Sequence, residues 1–493
     1  MTVTMHESLR PVLARLDVPT DLLVGGAWRG GEDGGRIDVR DPSSGAVLAS
    51  VADAGVGDAE AAVDAAAAAA AGWAATALRE RAELLRRVFT LMHERSEELA
   101  LLISLENGKS LADARSEVTY AAEFFRWYGE EVVRLRGQVG LSPSGANRLL
   151  VTHQPVGVSV LITPWNFPAA MATRKIAPAL AAGCTAILKP ATETPLTALA
   201  VVALLHEAGL PAGVLNVVTT RRPGPVVEAM LTDPRTRMLS FTGSTETGRR
   251  LLRTAAEQVL KTGMELGGNA PFVVLDDADV DAAVEGAMVA KMRNGGQACT
   301  AANRFFVQGS VHDAFVAGLV TRMAAIRIGP GQDERSQCGP LINDEAVRKV
   351  DELVRDAVAR GARALLGGER PTDGAGCFYP PTVLVDVPPD ARVLHEEIFG
   401  PVAPVVRFER EEEMLALVND TEYGLVSYLY TGDLGRGLRL AEGIESGMVG
   451  LNRGLVSDPA APFGGAKQSG LGREGSTEGL LEFMETQYVA TSW

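Results

Sequence analysis

VGVSVLITPWNFPAAMATRKIAPALAAGCTAILK, residues 156–189, reads as strand, turn, helix and strand in immediate succession. Its opening, VGVSVLI (156–162), is rich in β-branched residues and bounded by Pro155 and Pro164, the mark of a buried strand. AAMATRKIAPALAAG then carries a helical pattern that stops at Gly183, and TAILK starts the next strand. The rhythm continues downstream. A helix over 196–208 leads to the strand GVLNVVT, a helix around 226–231 leads to the strand MLSF, and another helix starts near Glu246. A second series begins at PFVVL (271–275) and runs through ANRFFVQ to APVVRF. Such alternation requires right-handed crossovers and a parallel sheet covered on both faces. The expected fold is α/β, with two domains meeting near Met264.

Two segments fall outside this scheme. RLLVTHQP (148–155) and the C-terminal TQYVATSW are extended and have no helix beside them. Strands of this kind pair readily with the sheet edge of another chain, which points to a homo-oligomer. The alanine-rich run 59–78 carries Glu60 and Asp64 and reads as a helix, and EREEE (409–413) as a helix surface and start.

The 493 residues are 46% apolar and 22% charged, a globular composition. A net charge of -15 argues against nucleic acid and anionic membrane as main partners, because both would repel it. The N-terminus MTVTMHESLRPVLARL lacks the basic start and continuous apolar stretch of a secretory signal. No run reaches the roughly 18 apolar residues of a membrane span. The four cysteines, Cys184, Cys299, Cys338 and Cys377, are at least 39 positions apart, which gives neither a zinc signature nor a disulfide framework. The six histidines are equally scattered, so no metal site is expected. A reducing cytoplasm suits this pattern.

Several turns carry chemistry. In SFTGSTETGRR (240–250) a strand ends, Gly243 and Ser244 turn, and a helix opens with Ser244 or Thr245 as its cap, so unpaired amides would welcome an anion. The spacing is not GxGxxG, and an ordinary capped turn accounts for it as well. LKPATETP puts Lys189 at the C-terminal end of a strand, where ligands of open α/β sheets gather, or where a solvated lysine sits. In TPWNFP two prolines freeze a loop that holds Trp165 and Asn166; the Asn166 amide can donate to an oxyanion or cap the next helix. In MELGGNAP, Glu265 stands beside an apolar residue, a niche that raises a carboxyl pKa toward that of a general base. In MRNGGQACTA, Cys299 lies among Gly, Gln, Ala and Thr with Arg293 upstream, a polar setting expected to lower a thiol pKa.

Taken together, TPWNFP, LKPA, FTGS, ELGGNAP, GQAC, EEIFGP and PFGGAKQSGLGREG occur in one order, and that order resembles the aldehyde dehydrogenase superfamily, most closely its succinate semialdehyde dehydrogenases. The resemblance runs from about residue 22 to the end. It implies a Rossmann-type cofactor domain (1–131 and 155–266), an α/β catalytic domain (267–467) and a small β arm for oligomerisation (132–154 and 480–493). It also implies roles. Cys299 attacks the aldehyde carbon, and the oxyanion is held by Asn166 and the Cys299 amide. Hydride passes to a nicotinamide, and Glu265 activates the water that hydrolyses the thioester. Lys175 and Glu474 match positions that relay protons from Glu265. Lys189 and Glu397 match ribose contacts, Phe399 a nicotinamide contact, and Trp165, Gly243, Ser244 and Leu266 further cofactor contacts.

Relatives that prefer NAD often carry Glu at the position of Thr192. A neutral hydroxyl removes the repulsion of a 2′-phosphate and can donate to it, so the expectation leans to NADP with NAD usable, although Glu193 is one residue away. Arg174, Arg293 and Ser457 match residues that grip the distal carboxylate of succinate semialdehyde, unless either arginine is a surface ion pair. Ala301 stands where thiol-switched relatives have a second cysteine, so no disulfide gating of Cys299 is expected. Retention of Glu265 disfavours a CoA-acylating enzyme. The rival readings are a dehydrogenase of glutarate semialdehyde or of an uncharged aldehyde, and an inactive binding or structural relative.

Overall fold

The computed structural model describes residues 15–371 and 376–492; most of the N-terminal stretch read for a signal, and Trp493, lie outside them. Two sheets dominate. The first has the order Ala27–Arg29, Leu22–Val24, Leu215–Val217, Ala186–Lys189, Val158–Ile162, Thr236–Thr242, Lys261–Glu265, Gly470–Leu471. Its five central strands are parallel, and the strands at both edges run antiparallel. The all-parallel expectation missed those edges because they are only two or three residues long and carry no pattern.

The strand order reverses direction between Val158–Ile162 and Thr236–Thr242, so the loops leaving their carboxyl ends splay apart and open a crevice. Helices Pro168–Ala182, Pro195–Glu207 and Pro223–Thr232 each begin with proline, where the missing N–H costs no hydrogen bond and the fixed φ suits the first turn. Gly183 ends the first of them at φ 96, a left-handed cap that a side chain would strain.

The second sheet has the order Arg363–Leu366, Thr382–Val385, Val402–Phe408, Ala302–Gln308, Ala270–Val274, Val426–Tyr430, Met448–Leu451, parallel except at its first strand. Its core contains Phe272, Phe305, Phe315 and Tyr428, all buried. The chain passes from one sheet to the other through 266–269, directly after Glu265.

The two extended segments find each other first. Met484–Thr491 pairs antiparallel with Arg148–Pro155 over eight residues, and Gln138–Leu141 adds a third strand. Each edge strand of this arm bonds a neighbour on one side only, and Val139, Leu141, Tyr488 and Val489 are exposed on it. Among the described residues no single helix is long and apolar enough to cross a membrane; one sharply bent pair, Val56–Ala74 and Leu78–Glu94, passes by composition alone, and its Val63, Trp73, Leu85 and Val88 are buried in the fold.

Candidate active site

The TPWNFP turn leaves the carboxyl end of Val158–Ile162 at the crevice. Asn166 is pinned there at three points: its carbonyl accepts from Lys109 Nζ (2.7 Å) and Asn294 Nδ2 (2.9 Å), and its own Nδ2 donates to the Gln297 carbonyl (3.1 Å). Lys109 is buried against Glu117 (2.5 Å) and over the Phe167 ring (4.0 Å), while the other Glu117 oxygen accepts from the Ala169 and Ala170 amides. A buried ion pair thus fixes both the turn and the helix start.

Cys299 arrives from the turn that leads into Ala302–Gln308 of the second sheet. Helix Val280–Met292 ends, and the chain turns through Asn294, Gly295 and Gly296 at φ 52, 61 and 79. This left-handed run suits Asn-Gly-Gly, and at Gly296 a Cβ would lie 2.2 Å from the Gly400 carbonyl, so only glycine lets the loop pass.

Cys299 is half-buried and borders two cavities. The first, about 740 Å³, is lined by Trp165, Asn166, Glu193, Gly243, Ser244, Leu266, Glu397 and Phe399. Trp165 and Phe399 meet edge to face at 5.4 Å, and Phe399 holds a left-handed φ of 57. The second, about 590 Å³, is lined by Tyr120, Arg174, Arg293, Ser457 and Phe463. The three residues expected to grip a carboxylate therefore share one chamber with the thiol.

The first cavity fits a dinucleotide. At Gly243 a Cβ would strike the Phe241 ring at 2.5 Å, so a bare backbone faces the cavity. Ser244 caps helix Thr245–Glu257 by accepting from the Thr247 amide, and the positive end of that helix suits a pyrophosphate. Lys189, nearly buried at the end of its strand, is not among the residues lining this cavity, whereas the Glu397 carboxylate lines it and accepts from the Gly268 amide (3.2 Å).

Behind the thiol lies an acid–base cluster. Both oxygens of Glu265 are buried without a hydrogen-bond partner, and burial first, then the charge of Glu474, holds its pKa well above the ordinary carboxylate range. Glu265 borders neither cavity, yet it lies close enough to Cys299 for its charge to raise the thiol pKa. Lys175 Nζ lies 2.5 Å from Glu474 Oε1 and donates to Ser240 Oγ at 2.9 Å, while Arg174 Nε lies 2.9 Å from Glu474 Oε2.

Two expectations need correction. The Cys299 thiol is not lowered but pushed up to about 12: burial outweighs the pull of Arg174 and Arg293, and Glu397 and Glu265 add to the rise. Polar neighbours in sequence did not reveal how closely the fold packs around the sulfur. The Thr192 hydroxyl, expected to be free for a 2′-phosphate, donates to the Thr220 carbonyl at 3.1 Å, and Glu193 is the residue that lines the cavity.

Sequence reasoning missed Lys109, Glu117, Asn294 and Gln297. Lys109 follows the Gly108 helix cap and Glu117 sits mid-helix, and neither position carries a local signal of burial.

Residues 28–489 match the aldehyde dehydrogenase family, and the chain belongs to it. It is 57% identical over 443 residues to the succinate-semialdehyde dehydrogenase of Paenarthrobacter nicotinovorans, covering 90% of this chain and 98% of that one. It is 49% identical to the glutarate-semialdehyde dehydrogenase of Pseudomonas aeruginosa over 94% of this chain and 96% of that one. The crystal structure of an Escherichia coli NADP-dependent enzyme superposes with a TM-score of 0.96 at 48% identity, covering 97% of this chain and 99% of that one.

Proposed function

We propose that the protein oxidises an aldehyde bearing a distal carboxylate, succinate semialdehyde before others, to the carboxylic acid, with NADP or NAD as electron acceptor. One observation carries this reading: Cys299 borders a dinucleotide-sized cavity and a chamber holding Arg174, Arg293 and Ser457 at the same time.

The substrate carboxylate meets two guanidiniums and a hydroxyl, each charged hydrogen bond contributing about 1.5 to 3 kcal/mol. Cys299 releases its proton to water in the cavity, and the thiolate sulfur bonds to the aldehyde carbon as the carbonyl π pair moves onto oxygen. The former carbonyl oxygen, now anionic, accepts from the Asn166 amide and the Cys299 backbone N–H. Trp165, Gly243, Ser244, Leu266, Glu397 and Phe399, which line the first cavity, would hold the dinucleotide together with Lys189 at the end of its strand, and its nicotinamide would supply the hydride acceptor. Glu265 takes a proton from water as the water oxygen attacks the resulting thioester, the carbon–sulfur bond breaks, and Cys299 is regenerated. Lys175 and Glu474 pass the Glu265 proton outward.

NADP is favoured because position 192 carries no carboxylate, and the similar Escherichia coli structure is described as NADP-dependent. Glu193 at the cavity wall keeps NAD competitive by offering an acceptor to a ribose hydroxyl. Glutarate semialdehyde is the second reading, supported by the name of the 49% identical relative and by a chamber of about 590 Å³ with room for one more methylene. The exposed arm strands supply the contact of a homo-oligomer, and the four free cysteines suit a reducing cytoplasm.

The test is a steady-state matrix of succinate semialdehyde, glutarate semialdehyde and propanal against NADP and NAD. The reading expects kcat/KM to fall by at least about tenfold when the distal carboxylate is removed, the value of one such contact. Equal efficiency on propanal contradicts it.

A further inference from the structure

Arg174 and Lys175 are consecutive on helix Pro168–Ala182, yet both reach one carboxylate and take different oxygens: Arg174 Nε is 2.9 Å from Glu474 Oε2, and Lys175 Nζ is 2.5 Å from Oε1. The arginine plane is held from the side as well, with Phe463 4.2 Å from its central carbon and Phe124 at 5.3 Å. Phe463 and Glu474 are themselves locked together by reciprocal backbone hydrogen bonds of 2.7 and 2.8 Å. The isolated antiparallel bridge that carries the carboxylate therefore also carries the ring that clamps its partner.

The remaining nitrogens of Arg174 are weakly engaged: one points at Met171 Sδ (3.8 Å) and the other at the Tyr120 hydroxyl (3.4 Å). Met171, Tyr120, Phe463 and Arg174 all line the chamber shared with Cys299. One side chain thus has its Nε in ion-pair contact with Glu474 behind the wall, without the alignment of a hydrogen bond, and its two terminal nitrogens at the wall.

We propose that Arg174 is a positioning residue for the hydrolytic step as well as a contact for the substrate carboxylate: its positive charge, 2.9 Å from Glu474 Oε2, holds that carboxylate by ion pairing with Oε1 on Lys175. This rests on the assignment of Lys175 and Glu474 to the proton route from Glu265. The planar guanidinium suits both tasks at once because its charge is spread over a plane with one edge at Glu474 and the other at the chamber wall, whereas the charge of an ammonium sits at a single point. A carboxylate freed on one side rotates, and the lysine contact degrades with it.

Propanal separates the two tasks, because it has no carboxylate for Arg174 to bind. With propanal, Arg174→Gln lowers kcat about tenfold, the order expected for a misplaced catalytic group, with KM within about twofold. Rapid mixing then gives a larger burst of reduced nicotinamide per active site than the wild type, since hydrolysis slows and acylation does not. The Arg174→Gln, Glu474→Gln double variant loses no more than the worse single variant, as coupled residues do. An unchanged kcat on propanal, an unchanged burst, or losses that multiply in the double variant overturns the proposal. If Arg174→Gln does not fold, Arg174→Lys, which keeps the charge, carries the same measurement with the same signs. A wild type that fails to prefer carboxylated aldehydes overturns the substrate reading above and leaves the propanal result standing.

Discussion

The Asn166 side-chain amide donates to the Gln297 carbonyl at 3.1 Å, so the residue that is to hold the oxyanion is tied to the loop that carries Cys299. One amide hydrogen makes this tether and the other remains for the cavity that Asn166 lines. Asn166→Ala is expected to lower kcat about 10²- to 10³-fold, the usual effect of removing one oxyanion donor, with a smaller change in KM. Steady-state kinetics on the preferred aldehyde checks it. A loss confined to KM contradicts the role.

The Lys109–Glu117 pair supports Asn166 from behind. Both side chains are wholly buried, and Lys109 also donates to the Asn166 carbonyl. Lys109→Met leaves a buried carboxylate without its countercharge and is expected to destabilise the fold by about 3 to 5 kcal/mol, while Lys109→Met with Glu117→Gln recovers part of the loss. Chemical denaturation of both variants measures the difference.

The burial of Cys299 has a pH signature. A thiol pushed up to about 12 is almost fully protonated at neutral pH, and the reactive thiolate gains as pH rises. Inactivation of the cofactor-free protein by iodoacetamide is expected to accelerate steadily from pH 7 to 9, close to tenfold per unit. Arg293→Gln removes one of the charges that pull the thiol down, so alkylation at fixed pH slows. A rate that levels off below pH 8 contradicts this environment.

Glu265 gives the complementary signature. Burial and the neighbouring Glu474 raise its pKa, so the base is protonated and inactive at pH values where an exposed glutamate, near 4.3, is already ionised. The rising limb of kcat therefore lies above that value, and activity is lost as pH falls through it. In Glu265→Gln the limb disappears, and steady-state turnover falls about 10²- to 10⁴-fold.

Much of this arrangement was legible in the chain because it is built from local signals. The strand VGVSVLI, the helix stop at Gly183 and the cap at Ser244 each depend on a few neighbouring residues, and each stands where the pattern put it. The antiparallel edges, the pairing of Met484–Thr491 with Arg148–Pro155 and the Lys109–Glu117 support depend on partners far away in sequence, which no window of residues contains. The thiol environment failed for the same reason. Its pKa is decided first by burial among segments distant in sequence, and then by Arg174, Glu397 and Glu265, which arrive from three of them. The Arg174–Glu474 contact spans 300 positions and was equally invisible, although both residues had been singled out separately.

The most direct test traps the covalent species. Glu265→Gln is mixed with succinate semialdehyde and NADP, quenched in acid, digested and weighed peptide by peptide. The account predicts an acyl group on the peptide containing Cys299 and on no other cysteine peptide, with one equivalent of reduced nicotinamide formed per adduct. An adduct on Cys184, Cys338 or Cys377, or full turnover by Cys299→Ala, would contradict it.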